Sequence, residues 1–177
     1  MKILFLDVDG VLNSKQLFLA NKDKKIVGKD TLEKADFEYM KEATSAHNFW
    51  CLKYVLDTVP DLKIVLSSAW RNHFEMEQFK ELFKHYGLDG EKIIDKTPRR
   101  FTSERMHEIH MYLDDKRDEG ITDIKWAAID DHVIFNLEDP DKVNEYLTDP
   151  WIGMTMQDAF KIIKHFKPDF KEPEIWI

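Results

Sequence analysis

Apolar residues follow two rhythms along this chain. Short unbroken runs, such as Ile3 to Leu6 and Ile64 to Leu66, have the form of strands covered on both faces. Longer stretches repeat an apolar position every three or four residues, as amphipathic helices do. The first run predicts a strand over 2–7, ended by Gly10. A helix is expected over 47–58, with Phe49, Leu52, Val55, Leu56 and Val59 on its apolar stripe and Pro60 as its stop. A second strand covers 62–67. The next helix is expected over 72–86: Asn72 and Glu75 have capping-box spacing, Phe74, Phe79, Leu82 and Phe83 line one side, and Gly87 follows its end. Ile93 and Ile94 mark a third strand. A helix over 103–117 carries Met106, Ile109, His110 and Leu113 on one face and closes at Gly120. A fourth strand follows over 124–129, and Trp151 with Ile152 is expected as a short fifth. Thr155 caps a last helix to about Phe166, with Phe160, Ile163 and Phe166 inward. Strands alternating with helices predict an α/β fold with a mainly parallel sheet and right-handed crossovers.

One stretch breaks the pattern. Residues 14–46 are polar, highly charged and weakly periodic, and they read as a flap with a short helix around 31–41.

Composition narrows the functional classes. A chain of 177 residues with 43 % apolar positions can build one packed core, with little left for a second domain. Its apolar runs are far shorter than the roughly 18 residues a membrane span needs, so no membrane association is expected. The first ten residues read as a core strand and not as an export signal. The single cysteine, Cys51, has no intrachain partner and is expected to be buried and inert, which suits a reducing, cytoplasmic setting. The net charge of −8 excludes a sequence-blind DNA coat protein, because bulk nucleic acid is repelled at long range. It leaves room for a local basic site that takes one phosphorylated end. No obligate protein partner is called for.

The chemistry gathers at predicted strand ends, the edge where ligands bind in open α/β sheets. Asp7 and Asp9 follow the first strand, and Gly10 lets the backbone turn closely there. Asp130 and Asp131 follow the fourth. Clustered carboxylates repel unless a cation is present or a proton is shared, and an all-oxygen ligand set suits Mg²⁺. Ser67 and Ser68 end the second strand, where hydroxyls and loop N–H groups can cradle an anion; Ser67 is favoured because it directly follows the apolar run. Residues 96–107 carry Lys96, Arg99, Arg100 and Arg105 against one Glu, a local net of +3, and Arg71 lies just after the serine pair. Trp70 and Trp126 read as core or wall residues. His73, His107, His110 and His132 are not spaced as a metal site. A carboxylate nucleophile, a metal, a phosphate cradle and a cation together suit phosphoryl transfer through an aspartate.

These residues also carry a resemblance. Asp7-Val-Asp-Gly-Val11 is similar to the first motif of the haloacid dehalogenase (HAD) superfamily, residues 64–67 resemble its second, and Ile129-Asp-Asp131 its fourth. Arg105 is the best match to the single Lys or Arg of the third. Ser67-Ser-Ala-Trp-Arg71, Thr97-Pro-Arg99, residues 105–109 and residues 149–155 resemble a compact HAD group linked to RNA-repair proteins. The phosphatase half of bacteriophage polynucleotide kinase-phosphatase is a more distant likeness. The likeness covers about 1–13 and 47–166.

The resemblance implies a Rossmann-like three-layer core with a small flap in place of a large cap. It implies an aspartyl-phosphate on Asp7, with Asp9 as acid and then base. Mg²⁺ would be held by Asp7, the carbonyl of Asp9, and Asp130 or Asp131. Ser67 and Arg105 would bind the transferring phosphoryl group, with Ser68 the rival for Ser67. Arg71, Arg99 and Arg100 are candidates for contacts to the substrate, and Arg71 also for a structural partner of the acid cluster. A flap with no large cap leaves the site open to large substrates, so a phosphorylated nucleotide or nucleic-acid end is the expected partner. A small-metabolite phosphatase, a phosphotransferase to an acceptor other than water, and a non-catalytic HAD-like binding module are the competing readings.

Overall fold

A computed structural model describes residues 1–21, 37–98 and 104–174. Five parallel strands form one sheet in the order β3-β2-β1-β4-β5, where β1 is Lys2–Leu6, β2 Leu62–Leu66, β3 Ile93–Lys96, β4 Lys125–Asp130 and β5 Glu145–Leu147. Helices α3 (Ala46–Thr58), α4 (Met76–His85) and α6 (Met156–Phe166) cover one face, and α5 (Arg105–Asp118) covers the other. The alternation along β1 explains the layering. Leu4 and Leu6 face the core shared with α3, α4 and α6, while Ile3 and Phe5 pack with Ile109, Tyr112 and Leu113 of α5. The expected α/β architecture is therefore present, as a Rossmann-like sheet between helical layers.

Register decides where chemistry can occur. Leu6 is level with Leu66 on one side and Ile129 on the other. The three central strands are thus level at these residues, and Asp7, Ser67 and Asp130 come next along each, Asp130 as the last residue of β4. The ladder continues across them: the Asp7 amide donates to the Ile129 carbonyl at 3.1 Å and the Ser67 amide to that of Leu6 at 2.8 Å.

Two expected elements differ. The fifth strand is Glu145–Leu147, pairing with 128–130, and not Trp151 with Ile152. Those two sit in a turn closed by the Ile152 and Gly153 amides on the Asp149 carbonyl, with both side chains about half exposed. A three-residue edge strand reading Glu-Tyr-Leu has too little apolar pattern to announce itself. The helix expected over 72–86 is present but starts later, at Met76. A 3-10 turn, Ala69–Asn72, capped by the Ser68 hydroxyl, precedes α4, where the Glu75 amide donates to Gln78. The turn brings Trp70 inward, to 4 % exposure.

Both described ends of the 14–46 stretch are built into the body. Helices α1 (Lys15–Ala20) and α2 (Phe37–Glu42) are tied by Asn21, whose side-chain amide donates to the Glu42 carbonyl, and Met40 lies in the core. The Ser45 amide donates to the Leu12 carbonyl at 2.8 Å, so the stretch leaves and returns at adjacent points. The helix expected over 31–41 is represented by α2; residues 31–36 lie outside the described residues. Cys51 is fully buried, as expected. Among the described residues no helix is long and apolar enough to cross a membrane.

Phe49 anchors the larger core. Its ring stacks on Tyr86 at 4.2 Å and meets the edge of Phe83 at 5.6 Å. Phe49→Ala is expected to lower stability by about 3–5 kcal/mol through lost burial and a residual cavity. Urea unfolding checks this: the midpoint should fall with an unchanged slope.

Candidate active site

The row of strand ends brings the two acids of greatest interest into one dry place. Asp7 is 4 % exposed and Asp130 2 %. Arg105, the first residue of α5, reaches between them: Nη1 lies 3.2 Å from Asp7 Oδ1 and 3.1 Å from Asp130 Oδ2. These contacts are matched in charge but poorly aligned as hydrogen bonds, so Arg105 Nη1 and Asp130 Oδ2 both lack a hydrogen-bond partner among the described residues. Asp130 Oδ1 accepts from the His132 amide, which leaves Oδ2 as its unused atom. Asp7 Oδ1 accepts from the Val8 amide at 2.8 Å.

Burial pushes the Asp7 carboxyl up to about 7, with Arg105 opposing the rise and Asp130 adding to it. The hydroxyl of Ser68 also bonds to Asp7 and favours its charged form. Asp130 is raised for the same leading reason, burial, again with Arg105 opposing. One guanidinium is thus shared by two carboxylates that both resist ionisation.

The other expected residues fall around this centre. Ser67 is buried beside Asp7, and its hydroxyl has no hydrogen-bond partner among the described residues. Ser68 is engaged twice, with Asp7 and with the Trp70 amide. Arg71 is buried and held on two sides. It meets Glu108 at 2.6 Å and donates to the Ser68 carbonyl at 2.6 Å. Lys96, counted in the basic segment, turns away and donates to the carbonyls of Phe74 and Arg71. Arg99 and Arg100 lie outside the described residues. Asp131 presses against Gly10, where a Cβ would come within 2.5 Å of the Asp131 side chain; Gly10 also has φ +65°. Only glycine fits both demands.

Asp130, Asp131 and His132 offer three atoms within 4.8 Å of one another. The His132 side chain is 83 % exposed and bonds to Asp131, so it stays a surface residue as expected, at the rim of the acids. A divalent cation fits this site on two observations: the ligands nearest the centre are carboxylate oxygens, and Asp130 Oδ2 is a buried, orphaned acceptor. A cleft of about 430 Å³ opens on Arg105 and Asp130, with Met106, Val133 and Ile134 among its walls and Asn136 at its edge.

Four contributors had no clear signal in the chain. Asn13 and Trp70 both hold Asp9 Oδ1, at 2.9 and 3.0 Å. Trp70 is a wall residue, as expected, but with a polar task as well. Glu108 pairs with Arg71 one helical turn past Arg105. The Thr148 hydroxyl joins the Gly10 carbonyl to that of Asp130, at 2.7 and 3.3 Å. The Ser-Ser-Ala-Trp-Arg string contains Trp70 and the 105–109 string contains Glu108, but neither string showed what these side chains hold.

A parallel 3-2-1-4-5 sheet with carboxylates, serines and an arginine gathered at its carboxyl edge defines a Rossmann-like α/β domain of the haloacid dehalogenase type. The chain belongs to that superfamily: residues 3–159 match the family described as the HAD domain in Swiss Army Knife RNA repair proteins. Searches of curated proteins and of solved structures give no match. Membership in this family supports a phosphatase of the HAD type.

The raised Asp7 carboxyl makes stability depend on pH. Its unfolded value is near 3.8 and its folded value about 7, so the folded state holds an extra proton between them. The stabilisation is full below 3.8 and is lost as pH rises through 7. In EDTA the melting temperature is therefore expected to fall from pH 5 to pH 8. Asp7→Asn should make that slope shallower, with Asp130 supplying what remains; an unchanged slope would contradict the burial argument.

Proposed function

We propose that this protein is a Mg²⁺-dependent phosphomonoester hydrolase working through an aspartyl-phosphate on Asp7, acting on a nucleotide or on a phosphorylated nucleic-acid end. The observation that carries this reading is the bridge of Arg105 between Asp7 and Asp130, with the unpartnered Ser67 hydroxyl beside it. A phosphoryl group entering there meets a carboxylate, a guanidinium and a free hydroxyl donor.

In this reading the Asp7 carboxylate attacks phosphorus in line with the leaving oxygen. Asp9 gives that oxygen a proton and then takes one from the water that hydrolyses the acyl phosphate. Ser67 and Arg105 hold the phosphoryl oxygens, and their positions at a strand end and a helix start make that hold rigid. Asp7, the carbonyl of Asp9 and Asp130 are the groups that would hold the metal, with Asp131 against Gly10 behind them. When bound, a divalent cation supplies charge to offset the phosphoryl oxygens. Arg71 buttresses the site through Glu108 and the Ser68 carbonyl, which supports the structural alternative for it over contact with substrate.

The substrate reading rests on the basic 96–107 segment, the open cleft and the RNA-repair family. Arg99 and Arg100 are the cations proposed to meet phosphates flanking the reactive one, since Lys96 is engaged elsewhere.

A panel of nucleotides, 3′- and 5′-phosphorylated oligonucleotides, sugar phosphates and an aryl phosphate tests the reaction. The wild type should turn over with Mg²⁺ and stop in EDTA, and Asp7→Asn should abolish turnover while remaining folded. Residual activity above roughly 1 % of wild type would rule out the covalent route. For the substrate, the double variant Arg99→Ala, Arg100→Ala should raise KM on a 3′-phosphorylated oligonucleotide and flatten its salt dependence, because fewer counterions are released. It should change hydrolysis of the aryl phosphate far less. An unchanged salt slope would remove these residues from the binding surface.

A further inference from the structure

The two oxygens of Asp9 are not equivalent. Oδ1 accepts the Asn13 side-chain amide at 2.9 Å and the Trp70 indole N–H at 3.0 Å. An indole nitrogen is a donor only. The Asn13 amide is fixed the same way round, because its oxygen already accepts the Gly10 amide at 2.8 Å. Neither neighbour can take a proton from Asp9. A proton on Oδ1 would face two donors head-on, so a protonated Asp9 must carry it on Oδ2.

Trp70 is well placed for this task. Its ring lies 5.3 Å from Phe74 and 6.0 Å from Tyr39, and Tyr39 itself stacks on Phe74 at 6.3 Å. Tyr39 belongs to α2, within the 14–46 stretch. These ring contacts seat α2 against the indole that donates to Asp9 Oδ1. The Ser68 hydroxyl accepts the Trp70 backbone amide at 3.3 Å, which links the indole to the same turn that holds Ser67.

We propose that Trp70 is a positioning residue for the phosphatase reaction: with Asn13 it clamps Asp9 Oδ1, making Oδ2 the atom that passes the proton to the leaving oxygen. The inference rests on the reading of Asp9 as the general acid. In the first half-reaction the Asp7–phosphorus bond forms and the bond from phosphorus to the leaving oxygen breaks. The proton moves from Asp9 Oδ2 to that oxygen. In the second, a water oxygen bonds to phosphorus as the bond from the Asp7 oxygen to phosphorus breaks; the water gives its proton to Oδ2, inorganic phosphate leaves and the Asp7 carboxylate is restored. The clamp keeps Oδ2 facing the reaction in both. The α2 segment supports it from behind, which gives part of the 14–46 stretch a role in the chemistry.

The test compares leaving groups. Without a proton the leaving group of ethyl phosphate would be a strongly basic alkoxide, so it needs the acid and leaves as ethanol, whereas that of p-nitrophenyl phosphate is a stable phenolate and needs it little. Trp70→Phe keeps an aromatic ring against Tyr39 and Phe74 and removes the donor. It should lower kcat/KM, which covers the path up to the acyl phosphate and leaves out the water step common to both substrates, ~10-fold more for ethyl phosphate than for p-nitrophenyl phosphate. Asp9→Asn should show the same selectivity, more strongly. A second measurement needs no turnover: in Asp9→Ala the indole N–H proton resonance of Trp70 should move upfield as its carboxylate acceptor is lost. Equal losses on both substrates for Trp70→Phe, or an unmoved indole resonance, overturn the clamp. If Asp9→Asn discriminates and Trp70→Phe does not, the clamp alone fails. If Asp9→Asn does not discriminate either, the acid role of Asp9 fails and the clamp with it.

Discussion

Two carboxylates buried side by side, with one guanidinium between them, form the constraint on which the rest of this site depends. Asp7 and Asp130 lie at the ends of adjacent parallel strands, where little water reaches, and each resists ionisation for that reason. Arg105 meets both but aligns well with neither. Such an arrangement is poor as a structural ion pair, since buried pairs repay their desolvation only when well hydrogen-bonded. It is well suited to a centre that accepts a cation and a phosphoryl group, because both add the charge and the hydrogen-bond partners that these side chains lack.

Around that centre several side chains tie the strand ends and the helix start together. Glu108 and the Ser68 carbonyl hold Arg71, which joins the start of α5 to the turn after β2. Thr148 joins the carbonyl of Gly10 to that of Asp130, so the first and fourth strand ends move together. Gly153 makes room for the chain around Asn13 and Asn48, whose atoms a Cβ there would meet at 2.7–2.8 Å. Among the described residues the unpartnered groups at the strand ends are Ser67 Oγ, Asp130 Oδ2 and Arg105 Nη1, with Arg71 Nε and Asn48 Oδ1 unpartnered in the surrounding frame. The bonds made by Thr148 and Arg71 suit preorganised catalysis, in which the supporting bonds are formed before the substrate arrives.

The two described ends of the 14–46 stretch, 14–21 and 37–46, pack into the body of the fold. The charged, weakly periodic sequence of the stretch reads as a flap lying over an open site. At its described ends Met40 is buried, Thr44 is tied to the Met40 carbonyl, and Tyr39 stands behind Trp70. A few buried residues at its ends were enough to anchor it, and they are too few to produce a periodic signal in thirty residues of charge.

Legibility in the chain follows from how local each cause is. The β1, β2 and β4 strands, the helices α3, α5 and α6, and the acids and serines after the strands were readable, because burial on both faces and strand-end punctuation are written in consecutive residues. The family motifs sat on the same short strings. The 3-10 turn at Ala69–Asn72 and the edge strand β5 were not readable. The first is set by where Trp70 must go, and the second by pairing with β4 in place of an apolar pattern of its own. Roles that need two distant segments were equally hidden. Trp70 is 61 positions from Asp9, and its hydrogen bond to that carboxylate exists only because the turn after β2 folds against the loop after β1. The common ending of Leu6, Leu66 and Ile129 is of the same kind. The sequence determined which residues stand at the end of each strand; only the register between strands, a matter of long-range pairing, determined that they stand together.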